Sequence, residues 1–339
     1  MLQHLFSLHP SFLLLIPPTL LLLLLLHRLL LSPLRTIPGP LLNRLTSLPL
    51  YHHSYHGTES SYLHRLHTLY GPIVRIGPND VSIQDGNALH SIYVEKGGFA
   101  KAPCYANFDI DGHPSIFSAL TKEHRAPRAK AVVGMFALQA LREGALEWVT
   151  EVAEEFVGRL RGVKGKADGG VVNVLDLARA AAVDGVTGYL FARSYGGLRE
   201  RGLGKKVEAK AEDEEHLSAG LFVDTFVAVG RFFLIPNTAF KAVEWLSAKL
   251  FPDPAVDESI GLVYQFVDEV VEGTARDLDD EAGKDGHEET DTYQARLLRA
   301  GFSKSETKAQ CLDLVFAGTD STGMNMATAC WYLAQMPEL

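Results

Sequence analysis

Cysteine is scarce: Cys104, Cys311 and Cys330 are the only three in 339 residues. No two of them form a C-x-x-C pair, which excludes a disulfide scaffold and a zinc site of the usual spacing; no metal ligands are assigned. Basic charge is not in excess either, since 32 Lys and Arg against 41 Asp and Glu leave a formal net charge of −9. Nucleic acid is therefore not an expected partner, because a phosphate backbone is held by a positive field. There is no G-x-S-x-G, no Walker glycine loop and no G-x-G-x-x-G, so hydrolase, nucleoside-triphosphatase and Rossmann readings lack support. No repeat of twenty to fifty residues is present, which excludes a solenoid. The segment Asp109 to His113, "DIDGH", has calcium-like oxygens but not the remaining ligands of a twelve-residue loop, and reads as a turn.

What is abundant is apolar residues, 47% of the chain, enough for a large core in one big domain or two ordinary ones. At the N-terminus, "SFLLLIPPTLLLLLLLHRLLL" from Ser11 to Leu31 matches the ~20 residues that a membrane-crossing helix needs. Residues 1–32 are read as a membrane anchor that Pro17 and Pro18 kink. A cleaved signal peptide competes, but no small-x-small cleavage site follows before Pro33. Arg28, Arg35 and Arg44 all lie after the apolar run, so the positive-inside rule places the N-terminus in the lumen and the body in the cytosol.

Residues 33–50 follow as a proline-rich linker in which Pro33, Pro38, Gly39 and Pro40 deny regular hydrogen bonding. From Tyr51 to Tyr70 a His-rich stretch with Leu63, Leu66 and Leu69 at helical spacing predicts a helix ending before Gly71-Pro72. Two β-branched runs, Ile73 to Ile76 and Val81 to Ile83, flank Gly77-Pro78-Asn79-Asp80 and predict a hairpin. Beyond it the periodicity is helical over Ala131 to Leu160, Val174 to Phe191, Leu217 to Phe233, Val243 to Leu250 and Ser259 to Val271. Charged stretches at Lys205 to His216 and Arg276 to Asp291 read as solvated loops or helix ends. The fold class is mainly α with a small β-hairpin near the N-terminus.

Near the end, "LVFAGTDSTGMNMATACWYLAQMPEL" lies in one helix predicted from about Lys304 to Gln335, with a Ser303/Glu306 capping box and Pro337 as a stop. About 50 Å long, apolar all round, it should be buried. Yet Gly318 and Gly323 each cost about 1 kcal/mol relative to Ala in its middle, with Thr319, Asp320, Ser321 and Thr322 between them. Two arrangements account for such a patch. It is a groove admitting another body, with Asp320 as a proton-relaying acid whose pKa is raised unless paired, or it is a close contact between crossing helices with Asp320 satisfied by a cap or salt bridge.

"AGTDST", Ala317 to Thr322, resembles the Ala/Gly-Gly-x-Asp/Glu-Thr-Thr/Ser signature of the cytochrome P450 monooxygenases. The order of the other features is similar to microsomal and fungal members of that family: the anchor, "PGP", "YGPIVRIGP" with its hairpin, and the late buried helix followed by "WYLAQMPE". The resemblance implies a P450-like domain over residues 51–339, incomplete and ending after the central helix. It implies heme above the groove at Ala317 and Gly318, with Asp320 as the acid and Ser321 in the usual threonine's place. Serine lacks the methyl that fixes a rotamer, so Thr322 can share the role. In "LTKEHRAPRAK", His124 and Arg128 resemble the pair that holds the heme propionates, provided the helix begins before Lys122 and not at Pro127.

The resemblance also implies electrons from NADPH through cytochrome P450 reductase, which Lys122, Arg125 and Lys130 could dock, and an endoplasmic reticulum location. The activity it implies is insertion of one oxygen atom from O2 into an apolar small molecule, such as those of secondary metabolism. Candidate pocket walls are Phe108, Ile116, Phe117, Leu221, Phe222, Phe226, Phe232 and Phe233. Phenylalanines at helical spacing are also ordinary core. The family's Phe-x-x-Gly-x-x-x-Cys-x-Gly heme loop and its Glu-x-x-Arg helix are absent from the sequence. A chain without the thiolate is expected not to bind heme firmly or turn over alone, and a non-catalytic, membrane-tethered helical relic is the alternative.

Overall fold

The computed structural model describes residues 10–164, 172–200, 217–281, 291–336 and 338. The chain divides into two compact units, Met1–Phe99 and Ala100–Leu339. The charged stretch 205–216 lies outside the described residues, as does most of 276–291; its first six residues end a helix.

The first unit contains α1 (Pro10–Leu26), α2 (Leu41–Leu45), α3 (Leu48–Tyr55), α4 (Glu59–Tyr70), the strands β1 (Ile73–Arg75) and β2 (Val81–Ile83), and α5 (Ala88–Tyr93). Ser11–Leu31, read as one spanning helix, is helical but not regular throughout. The regular helix α1 has 17 residues and gives way to a π-helical turn at His27–Leu31. No helix among the described residues is long and apolar enough to cross a membrane. Residues 33–50, read as a linker, contain α2 and the start of α3.

The hairpin is present as read, with β1 antiparallel to β2 and Val74 opposite Ser82. Arg75 is fully buried behind it. Its guanidinium donates to Pro78 O at 2.6 Å, Gly77 O at 3.2 Å and Ser32 Oγ at 3.3 Å, so the hairpin turn is tied to the end of the π turn. The "PGP" segment passes so close that a Cβ on Gly39 would lie 2.4 Å from Arg75 O, and only glycine fits there.

The second unit is helical: α6 (Lys122–Val132), α7 (Leu138–Gly144), α8 (Leu146–Lys164), α9 (Val174–Phe191), α10 (Ser218–Gly230), α11 (Asn237–Leu250), α12 (Pro254–Glu281), α13 (Tyr293–Arg299) and α14 (Lys304–Ala334). The periodic run Ala131 to Leu160 is not continuous. A 3-10 turn at Val133–Phe136 and the end of α7 at Gly144 divide it, glycine being a weak helix former at both breaks. At the centre stands α9, capped by Asn173, whose side chain accepts from Leu175 N–H at 3.1 Å. Every residue from Asp176 to Asp184 is buried, and alanines at 178, 180, 181 and 182 let neighbours approach closely. Its largest helix contact is with α14.

Candidate functional site

Ser303 caps α14 as the sequence predicts, its Oγ accepting from Glu306 N–H at 3.2 Å. The other half of the expected capping box differs: the Glu306 carboxylate is ion-paired with Arg128 of α6. A buried guanidinium is the stronger partner for a carboxylate than a backbone N–H. The helix is also not buried all round, as its apolar composition suggested. Leu312 and Val315 are in the core, but Met324, Trp331, Tyr332 and Leu333 are exposed, since no described segment covers that face.

Both glycines of the "AGTDSTG" patch face α9. A Cβ on Gly318 would lie 2.7 Å from Val186 Cγ2, and one on Gly323 would lie 2.9 Å from Arg179 Cα. Asp320 Oδ1 accepts from Arg179 Nη2 at 2.9 Å and Nε at 3.3 Å. Arg179 Nη1 donates in turn to Asp224 of α10 at 2.8 Å. At Gly318, Asp320 and Gly323, therefore, the crossing-helix arrangement holds. The arginine is buried and Asp320 partly exposed, so the pair is a hydrated edge of a packed interface.

Successive helix residues diverge by about 100°. Accordingly Asp320, Ser321 and Thr322 look in three directions. Ser321 is exposed, with Ala317 one turn before it also exposed, and Ser321 Oγ donates to Ala317 O at 3.0 Å. Thr322 instead borders an apolar hollow of about 380 Å³ between α7, α8, α9 and α14, lined also by Val149, Val186, Tyr189 and Met326. Thr322 is itself exposed, so both hydroxyls keep access to solvent beside different neighbours. Gly318 is likewise turned to α9, leaving Ala317 on the open face.

The helix α6 begins at Lys122, with Thr121 accepting from His124 N–H, so His124 and Arg128 lie on one helix with Pro127 inside it. Arg128 is committed to Glu306 and to the His124 carbonyl. His124 Nε2 is buried without a hydrogen-bond partner. An orphaned buried nitrogen fits an anionic group such as a heme propionate, and the open Ala317–Ser321 face fits the plane of a porphyrin; Arg128 does not, as arranged. Cys311 is not poised as an iron ligand. Cys311 is fully buried, which pushes its thiol well above the ordinary range and opposes the thiolate.

Two titratable groups, Asp313 on α14 and Arg179 on α9, were not singled out by sequence patterns. Burial pushes the Asp313 carboxyl up to about 6, against hydrogen bonds from the Ser115 hydroxyl and Phe117 N–H and the charge of Lys101. The folded protein then holds this proton to higher pH than the unfolded chain. Its contribution is fully present below about pH 4 and is lost as pH rises through about 6. In Asp313→Asn, urea midpoints measured from pH 4 to 7 are expected to lose that downward slope; an unchanged slope refutes the assignment. Arg179 also escaped notice, although an arginine in the apolar run "LDLARAAAV" signals a buried ion pair.

The candidate pocket walls do converge. Phe108 lies 5.6 Å from Phe117, 5.5 Å from Phe226 and 6.0 Å from Phe233, ring centre to ring centre. Phe226 stacks on Phe316 at 5.6 Å, and Phe222 meets Phe316 edge-on. This aromatic seam ends one residue before Ala317.

The chain belongs to the cytochrome P450 family, whose pattern it matches over residues 37–339. It is similar to the cytochrome P450 monooxygenase mfmF of Annulohypoxylon moriforme, 38% identical over 314 residues, which is 91% of this chain and 62% of that protein. It is also similar to cypX of Dothistroma septosporum, 26% identical over 91% of this chain and 58% of the relative. To stcB of Emericella nidulans it is 35% identical over 40% of this chain and 27% of the relative. The chain thus spans about three fifths of the length of the curated relatives that it matches from end to end.

Proposed function

We propose that this chain forms the oxygen-activating and substrate-facing part of a heme-dependent monooxygenase that inserts one atom of O2 into an apolar, aromatic small molecule. The observation that carries this reading is the open Ala317–Ser321 face, with the paired Asp320 beside it and the aromatic seam leading to it. When bound, heme with a cysteine thiolate supplies the activation of dioxygen. The protein's own groups supply position and protons. His124 would hold a propionate, and Ala317, small and exposed, leaves room above the porphyrin.

Arg179 fixes Asp320 through Oδ1, while Oδ2 has no partner among the described residues and is reachable by water. Protons enter at Oδ2 and reach Ser321 Oγ through solvent on the open face. The Ser321 hydroxyl, parked on Ala317 O, turns to donate to a ligand there. Exposed Lys122, Arg125 and Lys130 on α6 are the docking face for the NADPH-fed cytochrome P450 reductase, which requires a basic surface if the donor is acidic. The exposed leucines of α1 hold the protein at the endoplasmic reticulum membrane, with the body in the cytosol.

The reading is tested by reducing the expressed chain with added hemin under carbon monoxide. No thiolate-type band is expected, because no described cysteine is placed as a ligand; such a band overturns the ligand assignment. Sequencing the transcript downstream of Leu339 is the complement. A following Glu-x-x-Arg and heme-loop cysteine are expected, and a stop codon in every transcript favours a non-catalytic relic.

A further inference from the structure

Lys101 closes the far end of the aromatic seam. Its Nζ lies 5.2 Å from the centre of the Tyr105 ring and 5.3 Å from that of Phe117, and it donates to Phe117 O. Tyr105 and Phe117 are themselves 5.5 Å apart. From there the rings run through Phe108 and Phe226 to Phe316, beside Ala317. Phe117 and Phe226 remain exposed, so the seam has uncovered apolar surface.

Lys101 has no ion pair among the described residues. Arg125 adds a second cation, and Asp313 is the one carboxylate whose field reaches it appreciably. Asp109, in the same segment, accepts from Ser118 at 2.7 Å. No carboxylate lies within ion-pair distance of Lys101 among the described residues, and burial lowers the pKa of its amine. A half-buried ammonium bonded only to a carbonyl, at the mouth of an aromatic wall, is complementary to an anion attached to a ring system.

We propose that Lys101 is a specificity-determining residue that binds the carboxylate of an aromatic acid lying along the seam from Tyr105 to Phe316. This deepens the reading of the seam as the substrate wall and rests on it. Bound this way, the substrate's anionic end is fixed at Lys101 and its opposite end is delivered toward Ala317 and Ser321. Rings of the ligand replace water on Phe117 and Phe226, while the carboxylate takes the amine from Phe117 O.

Calorimetric titration of the full chain with 2-naphthoate and with uncharged 2-naphthamide tests this. Naphthoate is expected to bind about tenfold more tightly, the size of one charge-assisted hydrogen bond. Lys101→Met should bring the two ligands to equal affinity, whereas Lys101→Arg should keep the preference. Circular dichroism of both variants checks that the fold is retained. Equal affinities in the unaltered chain, or a preference that survives Lys101→Met, overturn the role of Lys101 and leave the seam as a binding wall. Failure of both ligands to bind overturns the proposal together with that wall, independently of any result with hemin.

Discussion

Asp320→Asn should lower turnover of the heme-loaded, full-length enzyme by about 10²–10⁴, the usual contribution of a positioned proton donor. The amide keeps an oxygen for Arg179 and nearly the same volume, so the contact between α9 and α14 is largely preserved. What it loses is the ability to carry a proton at Oδ2. The expected signature is an enlarged solvent isotope effect, with O2 consumption diverted from product to peroxide. Substrate affinity should be unchanged, because the aromatic seam does not include Asp320. If turnover and isotope effect both match the unaltered enzyme, Asp320 is only a partner of Arg179 and the relay is wrong. Ser321→Thr should be tolerated, since the added methyl restricts the rotamer and keeps the hydroxyl.

Asp184→Ala is expected to cost about 3–5 kcal/mol of unfolding free energy, although this residue is remote from the chemistry. Asp184 is 2% exposed, and its carboxylate accepts from Gly196 N–H at 2.6 Å, Gly197 N–H at 2.8 Å and Leu198 N–H at 2.9 Å. Burial pushes its pKa up and the three N–H donors pull it back. Its value to the fold is therefore the satisfaction of three buried donors, not its charge. Alanine strands all three at roughly 1–3 kcal/mol each, offset by relief of the carboxylate's own desolvation. Asp184→Asn keeps an oxygen for two of the donors and should lose about half as much. Urea midpoints and thermal melts read the effect, and a loss under about 1 kcal/mol for alanine sinks the account.

Elements whose determinants are local were legible in the sequence. Val174–Phe191 and Lys304–Ala334 were bounded nearly to the residue, because Asn173 and Ser303 cap their own helices. The hairpin followed from Gly77-Pro78-Asn79-Asp80 and two β-branched runs. Pairing across the chain was not legible. Arg179 meets Asp320 across 141 residues and Arg128 meets Glu306 across 178, and no spacing rule connects such positions. Nor could periodicity tell which faces of α14 are covered, because an apolar side chain looks the same in sequence whether or not a neighbour lies over it. The open Ser321 face and the exposed Trp331 both come from that missing information.

Along α14 four polar side chains return to the carbonyl four residues earlier: Thr319 to Val315, Ser321 to Ala317, Asn325 to Ser321 and Thr328 to Met324. Those oxygens already serve the backbone ladder and now divide their lone pairs, which slackens the rungs and lets a helix flex. In a continuous thirty-one-residue helix these are the positions where bending costs least. A push delivered at the Glu306 end can be absorbed there, so the two halves of the helix are free to answer to different neighbours.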